Sequence, residues 1–278
     1  MGYKIEEKEE LASDVKLMRI KAPLIAKKAQ PGQFIILRID ETGERIPLTM
    51  VDTDKEKGLV TIIYQEVGKT TKQLGTLQVN DELLDFVGPL GRPTEIDHPG
   101  TVVCIGGGIG VAPIYPIAKG FKREGNRLIS IIGARNKELL ILEKEMKEIS
   151  DRLEVTTDDG SYGHHDLVTG PLQKMIDEGL PIGLVMAIGP VPMMQAVANL
   201  TRSYGIKTLV SLNPIMIDGT GMCGGCRVTV GGKTKFACVD GPEFDGHQVD
   251  FQELRKRQGT FRKPESVSME KYCRCQSH

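Results

Sequence analysis

From Thr101 onward the chain alternates short apolar runs with stretches of helical spacing, and this rhythm limits its fold more than any other feature. Thr101–Ile105 reads as a buried strand, followed by helical spacing over Val111–Lys122. Arg127–Ile132, Leu153–Thr156, Leu184–Ile188 and Thr208–Val210 continue the strands, with helical segments at Lys137–Glu148, Asp166–Glu178 and Val191–Tyr204. Such alternation predicts an α/β domain with a parallel sheet covered by helices, over residues 99–212.

The residues before it read as strands alone. Val15–Ile20, Phe34–Leu37 and Leu59–Tyr64 are strand-like, separated by turn formers at Pro31-Gly32 and Asp54–Gly58. Short strands at this spacing predict an antiparallel β-barrel over residues 1–98, with Gly88-Pro89-Leu90-Gly91 and Pro99-Gly100 as its boundary. A length of 278 residues suits about two domains. The final 28 residues, 251–278, hold seven Lys/Arg against three Asp/Glu and read as a loosely attached basic tail.

The first α/β strand runs into Gly106, Gly107, Gly108 and Gly110 before its helix begins. Glycines here let backbone N–H groups approach a pyrophosphate, which the helix N-terminus also favours. The strict G-x-G-x-x-G spacing is absent, so a tight strand-to-helix turn is the competing reading. Arg135 after the second strand, Asp158 after the third and Gly189-Pro190 after the fourth should emerge at the same sheet edge. Ligands of open α/β sheets bind at that edge, and together these strand ends predict a nucleotide site.

The cysteines are uneven: Cys104 alone, then Cys223, Cys226, Cys238, Cys273 and Cys275. Clustering of this kind indicates metal binding more than a disulfide framework. Asp218, Cys223, Cys226 and Cys238 reproduce the C-x4-C-x2-C…C spacing of a plant-type [2Fe–2S] site, with aspartate in the first position. Gly219, Gly221, Gly224 and Gly225 let the loop wrap a cluster. A structural zinc site is the alternative, but it would call for a second C-x2-C pair, and Cys273-Arg-Cys275 is distant and spaced by one. A zinc-stabilised nucleotide-binding regulatory module is thus the non-enzyme reading. Cys104 reads as a core residue, and Cys273 and Cys275 as exposed tail thiols.

A net charge of −1 provides no large positive field for nucleic acid, and no apolar run reaches the length of a membrane span. The polar start, Met1–Glu10, lacks signal-peptide character, which points to a cytoplasmic protein.

With these motifs in order, the chain resembles the ferredoxin–NADP reductase superfamily, specifically its small iron–sulfur flavoprotein subunits, over residues 1–247. The resemblance implies an FAD-binding barrel, an NAD(P)-binding domain and a [2Fe–2S] lobe at 213–250. It assigns Arg45, Pro47, Leu48 and Thr49 to the flavin, with Arg45 one place upstream of the usual arginine. Gly68, Thr70 and Thr71 are assigned to the FAD pyrophosphate. Gly106–Pro113 is assigned to the nucleotide pyrophosphate and Gly189-Pro190 to the nicotinamide. NAD(H) is favoured by resemblance, and Arg135 leaves NADP(H) open.

Two kinds of subunit share this pattern. Electron-transfer subunits of dihydroorotate dehydrogenase normally carry four cysteines. Small subunits of NADH-dependent ferredoxin–NADP reductases carry one aspartate and three, and Asp218 together with Ser211–Met216 favours these. The resemblance implies a larger partner with a second flavin and [4Fe–4S] clusters, and ferredoxin as an indirect partner. Electrons from NADPH would split there between ferredoxin and this chain. No side-chain acid or base is expected for hydride transfer, and adjacent His164 and His165 read as a polar turn.

Overall fold

The computed structural model describes residues 2–276. Its first unit contains β1 (Tyr3–Ala12), β2 (Val15–Lys21), β3 (Phe34–Arg38), β4 (Ile46–Asp54), β5 (Leu59–Gln65), β6 (Glu82–Leu83) and β7 (Asp85–Leu90). They pair antiparallel in the order β6-β1-β2-β5-β4-β3-β7. Only Leu84 separates the two end strands, so the sheet curls back on itself as a barrel. Alternate residues Met18 and Ile20, Ile35 and Leu37, Ile62 and Tyr64 are buried, as the two-residue period of a strand requires. Helix α1 (Pro23–Lys28) adds Ile25 and Ala26 to that core, and α2 (Lys69–Thr76) adds Leu74.

Gly88-Pro89-Leu90, expected as a break, belongs to β7. Its pairing with β3 shifts register between Phe34 and Ile36, and an irregular end strand is where a sheet tolerates proline. The chain leaves the barrel at Leu90 and enters the second sheet at Thr101.

That sheet contains β8 (Thr101–Gly107), β9 (Arg127–Ala134), β10 (Arg152–Thr157), β11 (His164–His165), β12 (Leu184–Ile188) and β13 (Thr208–Ser211). Helices α3 (Val111–Arg123), α4 (Glu143–Ile149), α5 (Thr169–Asp177) and α6 (Val191–Arg202) connect them. β8 and β9 are buried on both faces, as strands between two helical layers must be. The single helix expected over Lys137–Glu148 is instead a 3-10 turn at Lys137–Leu139 followed by α4, because Leu142 takes a left-handed φ of 54°. His164 and His165 form an edge strand rather than a turn, with His164 Nε2 2.8 Å from Glu154 Oε2.

The third unit is a hairpin of β14 (Arg227–Val230) and β15 (Lys233–Phe236), then α7 (Ala237–Asp240) and β16 (Glu243–Asp245). β16 pairs antiparallel with β13, giving the order β11-β10-β9-β8-β12-β13-β16, so the sheet is not purely parallel. The lobe is thereby stitched into the sheet.

The basic tail is also ordered, contrary to its reading as a loose end. It forms α8 (Phe251–Gln258) and α9 (Arg262–Gln276). The Asp250 carboxylate accepts the Glu253 N–H at 2.9 Å, an N-cap, while Phe251 and Leu254 are buried. α8 packs on α6 and β14, whereas α9 reaches α2 of the barrel. Cys273 is exposed, as expected; the Cys275 side chain lies outside the described residues. Among the described residues no helix is long and apolar enough to cross a membrane.

Candidate functional site

All three units contribute to one cavity of about 880 Å³, walled mainly by apolar side chains and glycine. This is the usual make-up of a cofactor site. The barrel presents Pro47, Leu48, Thr49 and Thr71; the sheet presents Gly107, Gly108, Gly110, Arg135, Asp158, Gly189 and Pro190. Pro47, Leu48 and Thr49 are placed by the start of β4, paired with Ile36, Ile35 and Phe34 of β3.

Four expected residues do not line the cavity. Arg45 is exposed just ahead of β4, and its neighbour Ile46 takes the wall position. Thr70 is buried, with its hydroxyl donating to Glu44 Oε2 at 2.6 Å. Gly68 caps α2: its N–H donates to Thr71 Oγ1 at 3.1 Å. Gly106 is buried inside β8, where a Cβ would lie 2.8 Å from Val111 Cα. Its glycine lets α3 close onto the strand.

The remaining glycines divide by what surrounds them. At Gly108 (φ +54°) a Cβ would meet nothing within 4 Å, so this left-handed turn leaves its approach free for a ligand. At Gly110 a Cβ would overlap the Ile188 carbonyl oxygen, and Gly189 would bring one to 3.0 Å from Gly107 O. The turns after β8 and β12 therefore press together backbone to backbone. They form one floor at the N-termini of α3 and α6, where the helix dipoles favour phosphate. Arg135 is exposed on the cavity wall beside Asp158, whose N–H is held by Ala134 O at 3.0 Å.

Sequence patterning missed the lobe's contribution. Ser211, Leu212, Asn213, Pro214 and Met216 line the cavity, as do Pro242 and the barrel residues Phe34 and Tyr64. The antiparallel return of β16 onto β13 brings this stretch and Pro242 to the cavity.

The expected cluster ligands fall into two pairs. Cys226 and Cys238 are buried and not joined by a disulfide; the Cys226 thiol donates to Cys238 Sγ at 3.1 Å. Asp218 accepts the Thr220 N–H at 2.8 Å and the Cys223 N–H at 2.7 Å, while Cys223 is exposed. Those amides hold the Asp218 carboxyl below its ordinary range, ready to act as an anionic donor. Burial, then the neighbouring Cys226 thiol, pushes the Cys238 thiol up to about 12, and Asp218 adds to the rise, so the pairs sense each other. Gly219, Gly221 and Gly224 all have positive φ, as the wrapped loop requires.

Among the described residues no three His, Cys, Asp or Glu groups converge on one point that could hold a metal ion. An adjacent pair of thiols and a carboxylate-to-cysteine loop pair suit a two-iron centre, in which each metal takes two protein ligands, better than a four-ligand mononuclear one. Met216 and Pro242 line the cavity, two and four residues from the expected ligands Asp218 and Cys238. The loop is also fastened: Arg257 Nη2 of α8 donates to Gly225 O at 3.0 Å, and a Cβ on Gly219 would meet Leu90 and Ile36 of the barrel.

Comparison with known proteins agrees with this layout. An oxidoreductase FAD-binding domain model matches residues 2–94, and an oxidoreductase NAD-binding domain model matches 104–199. The iron–sulfur cluster binding domain of dihydroorotate dehydrogenase B matches 213–250. Fold and site thus define an NAD(P)H-dependent iron–sulfur flavoprotein oxidoreductase, and the zinc-module reading is set aside.

A Thermotoga maritima protein described as a dihydroorotate dehydrogenase B (NAD(+)) electron transfer subunit homolog is 48% identical, covering 96% of this chain and 94% of that one. The Fusobacterium nucleatum electron transfer subunit is 33% identical, over 89% and 97%. A solved structure of an NADH-dependent reduced ferredoxin–NADP oxidoreductase, studied for flavin-based electron bifurcation, is similar with TM-score 0.91 and 47% identity, over 98% of both chains. The chain belongs to the family of electron-transfer subunits typified by dihydroorotate dehydrogenase B.

Proposed function

We propose that this chain is the small subunit of a flavin-based electron-bifurcating NADH-dependent ferredoxin:NADP+ oxidoreductase. Its partner is a larger flavoprotein subunit carrying [4Fe–4S] clusters, through which ferredoxin is served. The observation that carries this reading is Asp218 in the first ligand position, its carboxylate held beside Cys223. The bifurcating relative of TM-score 0.91 supports it. The names of the dihydroorotate dehydrogenase relatives favour the second reading, in which the partner is a dihydroorotate-oxidising subunit.

FAD supplies two-electron exchange with a nicotinamide and one-electron exchange with a [2Fe–2S] cluster. The chain supplies position and environment. Pro47–Thr49 and Thr71 hold the flavin side of the cavity; Gly107, Gly108 and Gly110 offer backbone to the dinucleotide phosphates. Gly189 and Pro190 keep the nicotinamide end shallow enough for ring stacking, with no side-chain acid or base required. Apolar walls exclude water from the exchange. The short spans Met216–Asp218 and Pro242–Cys238 keep the cluster loop against the flavin cavity.

Purification of the native complex tests both levels. The chain should show flavin and [2Fe–2S] bands, retain both after dialysis, and co-purify with a larger iron–sulfur flavoprotein that reduces NADP+ from NADH plus reduced ferredoxin. A colourless chain would overturn the cofactor assignment. Dihydroorotate oxidation by the complex would establish the second reading instead.

A further inference from the structure

Helix α8 begins at Phe251, past all four expected cluster ligands, yet two of its adjacent residues grip the segment that carries them. Arg257 Nη2 donates to Gly225 O at 3.0 Å. Gln258 Nε2 donates to Asn213 O at 2.9 Å and to Asn213 Oδ1 at 3.1 Å. Between those two attachments lie Asp218 and Cys223. Consecutive residues of one helix thus clip both ends of the ligand loop, and Asn213 is also part of the cavity wall.

The helix is itself a fixed point. The Asp250 side chain caps it, the Asp250 N–H donates to Thr229 O at 2.9 Å, and Phe251 and Leu254 are buried. Arg257 is half-buried, and among the described residues it enters no ion pair. Its positive charge is therefore directed at the Gly225 carbonyl without an acid to offset it. Gly225 in turn addresses an expected ligand with its other polar group: its N–H donates to Cys223 Sγ at 3.4 Å. From the start of β14, Arg227 Nη1 adds a weaker hold on Gly224 O at 3.3 Å. Hydrogen bonds to the sulfurs of an iron–sulfur cluster, and positive charge beside it, stabilise the reduced, more negative state and raise its potential.

We propose that Arg257 is a positioning residue for the cluster: it fixes Gly225 so that the N–H of that residue stays on the Cys223 sulfur, and by this hydrogen bond and its own charge it raises the cluster's reduction potential. Gln258 closes the other end of the clamp and holds the loop to the cavity wall without adding charge. Helix α8 thereby sets how readily the cluster takes up an electron, a property that ligand identity alone leaves open. The inference rests on the cluster assignment above.

The test is an EPR-monitored redox titration of the holo-complex, together with the rate at which a chelator removes its iron. Arg257→Met keeps much of the aliphatic stem but removes both donor and charge. Its cluster should be reduced on the order of tenfold less readily, a fall of about 59 mV for a one-electron couple. Its g-values should shift as the Cys223 sulfur loses a fixed donor, and iron should leave several-fold faster. Arg257→Lys keeps a charge and a donor, so it should recover more than half of the lost potential. Gln258→Ala opens the clamp without altering charge: iron should leave faster, while the potential stays close to wild type.

A helix that merely packs would lower the melting temperature of these variants and leave the cluster's potential and g-values untouched. That outcome for Arg257→Met, or a potential in Arg257→Lys as low as in Arg257→Met, would overturn the proposal while leaving the cluster assignment intact. Iron loss from Gln258→Ala at the wild-type rate would overturn the clamp even if Arg257→Met failed to fold. Absence of [2Fe–2S] bands from the wild-type complex would overturn the cluster assignment, and this proposal with it.

Discussion

Gly110→Ala is expected to cost the chain about 3 kcal/mol of stability, or more, and to collapse nucleotide binding along with it. The added methyl would overlap the Ile188 carbonyl oxygen and lie 2.7 Å from its carbon and 2.8 Å from Gly189 Cα. All three are backbone atoms, so no rotamer change gives relief. The helix start or the turn after β12 has to move. α3 is held by six buried side chains, including Val111, Ile114 and Phe121, and β12 is buried along its whole length. Neither yields cheaply, and both carry walls of the cavity. A fall in melting temperature of roughly 6–12 °C corresponds to that cost for a protein of this size. Gly108→Ala is the control, since its methyl meets no protein atom and its cost is the left-handed φ of 54°, about 1–2 kcal/mol. It should weaken NADH binding while melting closer to wild type. Equal melting temperatures for Gly110→Ala and wild type would refute the backbone-on-backbone packing.

This contrast marks what sequence patterning conveyed. The run Gly106–Gly110 pointed to the sheet edge that opens on the cavity, but it could not separate glycines that face open space from glycines that face protein. That division depends on β12 and α6, some eighty residues away, pressing on the same turn. The barrel was legible where apolar and polar residues alternate, as in β2, or where a β-branched apolar run stands out, as in β5, and obscure in β1. There Glu6–Glu10 is charged at every position and only Ile5 is fully buried.

Proline and glycine read as a break in β7 because a register shift is invisible in one strand. The tail was misjudged for a different reason. Its positive charge suggested solvation, whereas the Asp250 cap and the Phe251/Leu254 spacing of three were the signals of a docked helix. The spacing of Asp218, Cys223, Cys226 and Cys238 pointed to the lobe that matches an iron–sulfur cluster binding domain; that Met216 and Pro242 bring its loop to the cavity was not legible, because only the pairing of β16 with β13 creates that proximity.

Cys226→Ser should abolish the [2Fe–2S] bands and drop the iron-to-flavin ratio to near zero while the flavin remains. Cys226 is buried against Cys238 at 3.1 Å, and a serine oxygen is a hard, weakly acidic donor where iron–sulfur chemistry calls for a soft thiolate. The cavity-lining residues Pro47–Thr49 and Thr71, proposed to hold the flavin, are on the barrel and remote in sequence from this loop, so NADH-driven dye reduction through the flavin should survive. Asp218→Cys should behave in the opposite way. Cysteine restores the four-thiolate pattern, and a loop with three positive-φ glycines can re-seat a side chain of similar reach. The cluster should be retained, but its potential should rise, because a carboxylate oxygen favours the ferric state more than a thiolate does. The two variants together separate ligation from tuning. Loss of iron in Cys226→Ser with an unchanged potential in Asp218→Cys would leave the three cysteines as ligands and remove Asp218 from the set. The reading of the chain as a bifurcating subunit would then lose the residue that carries it.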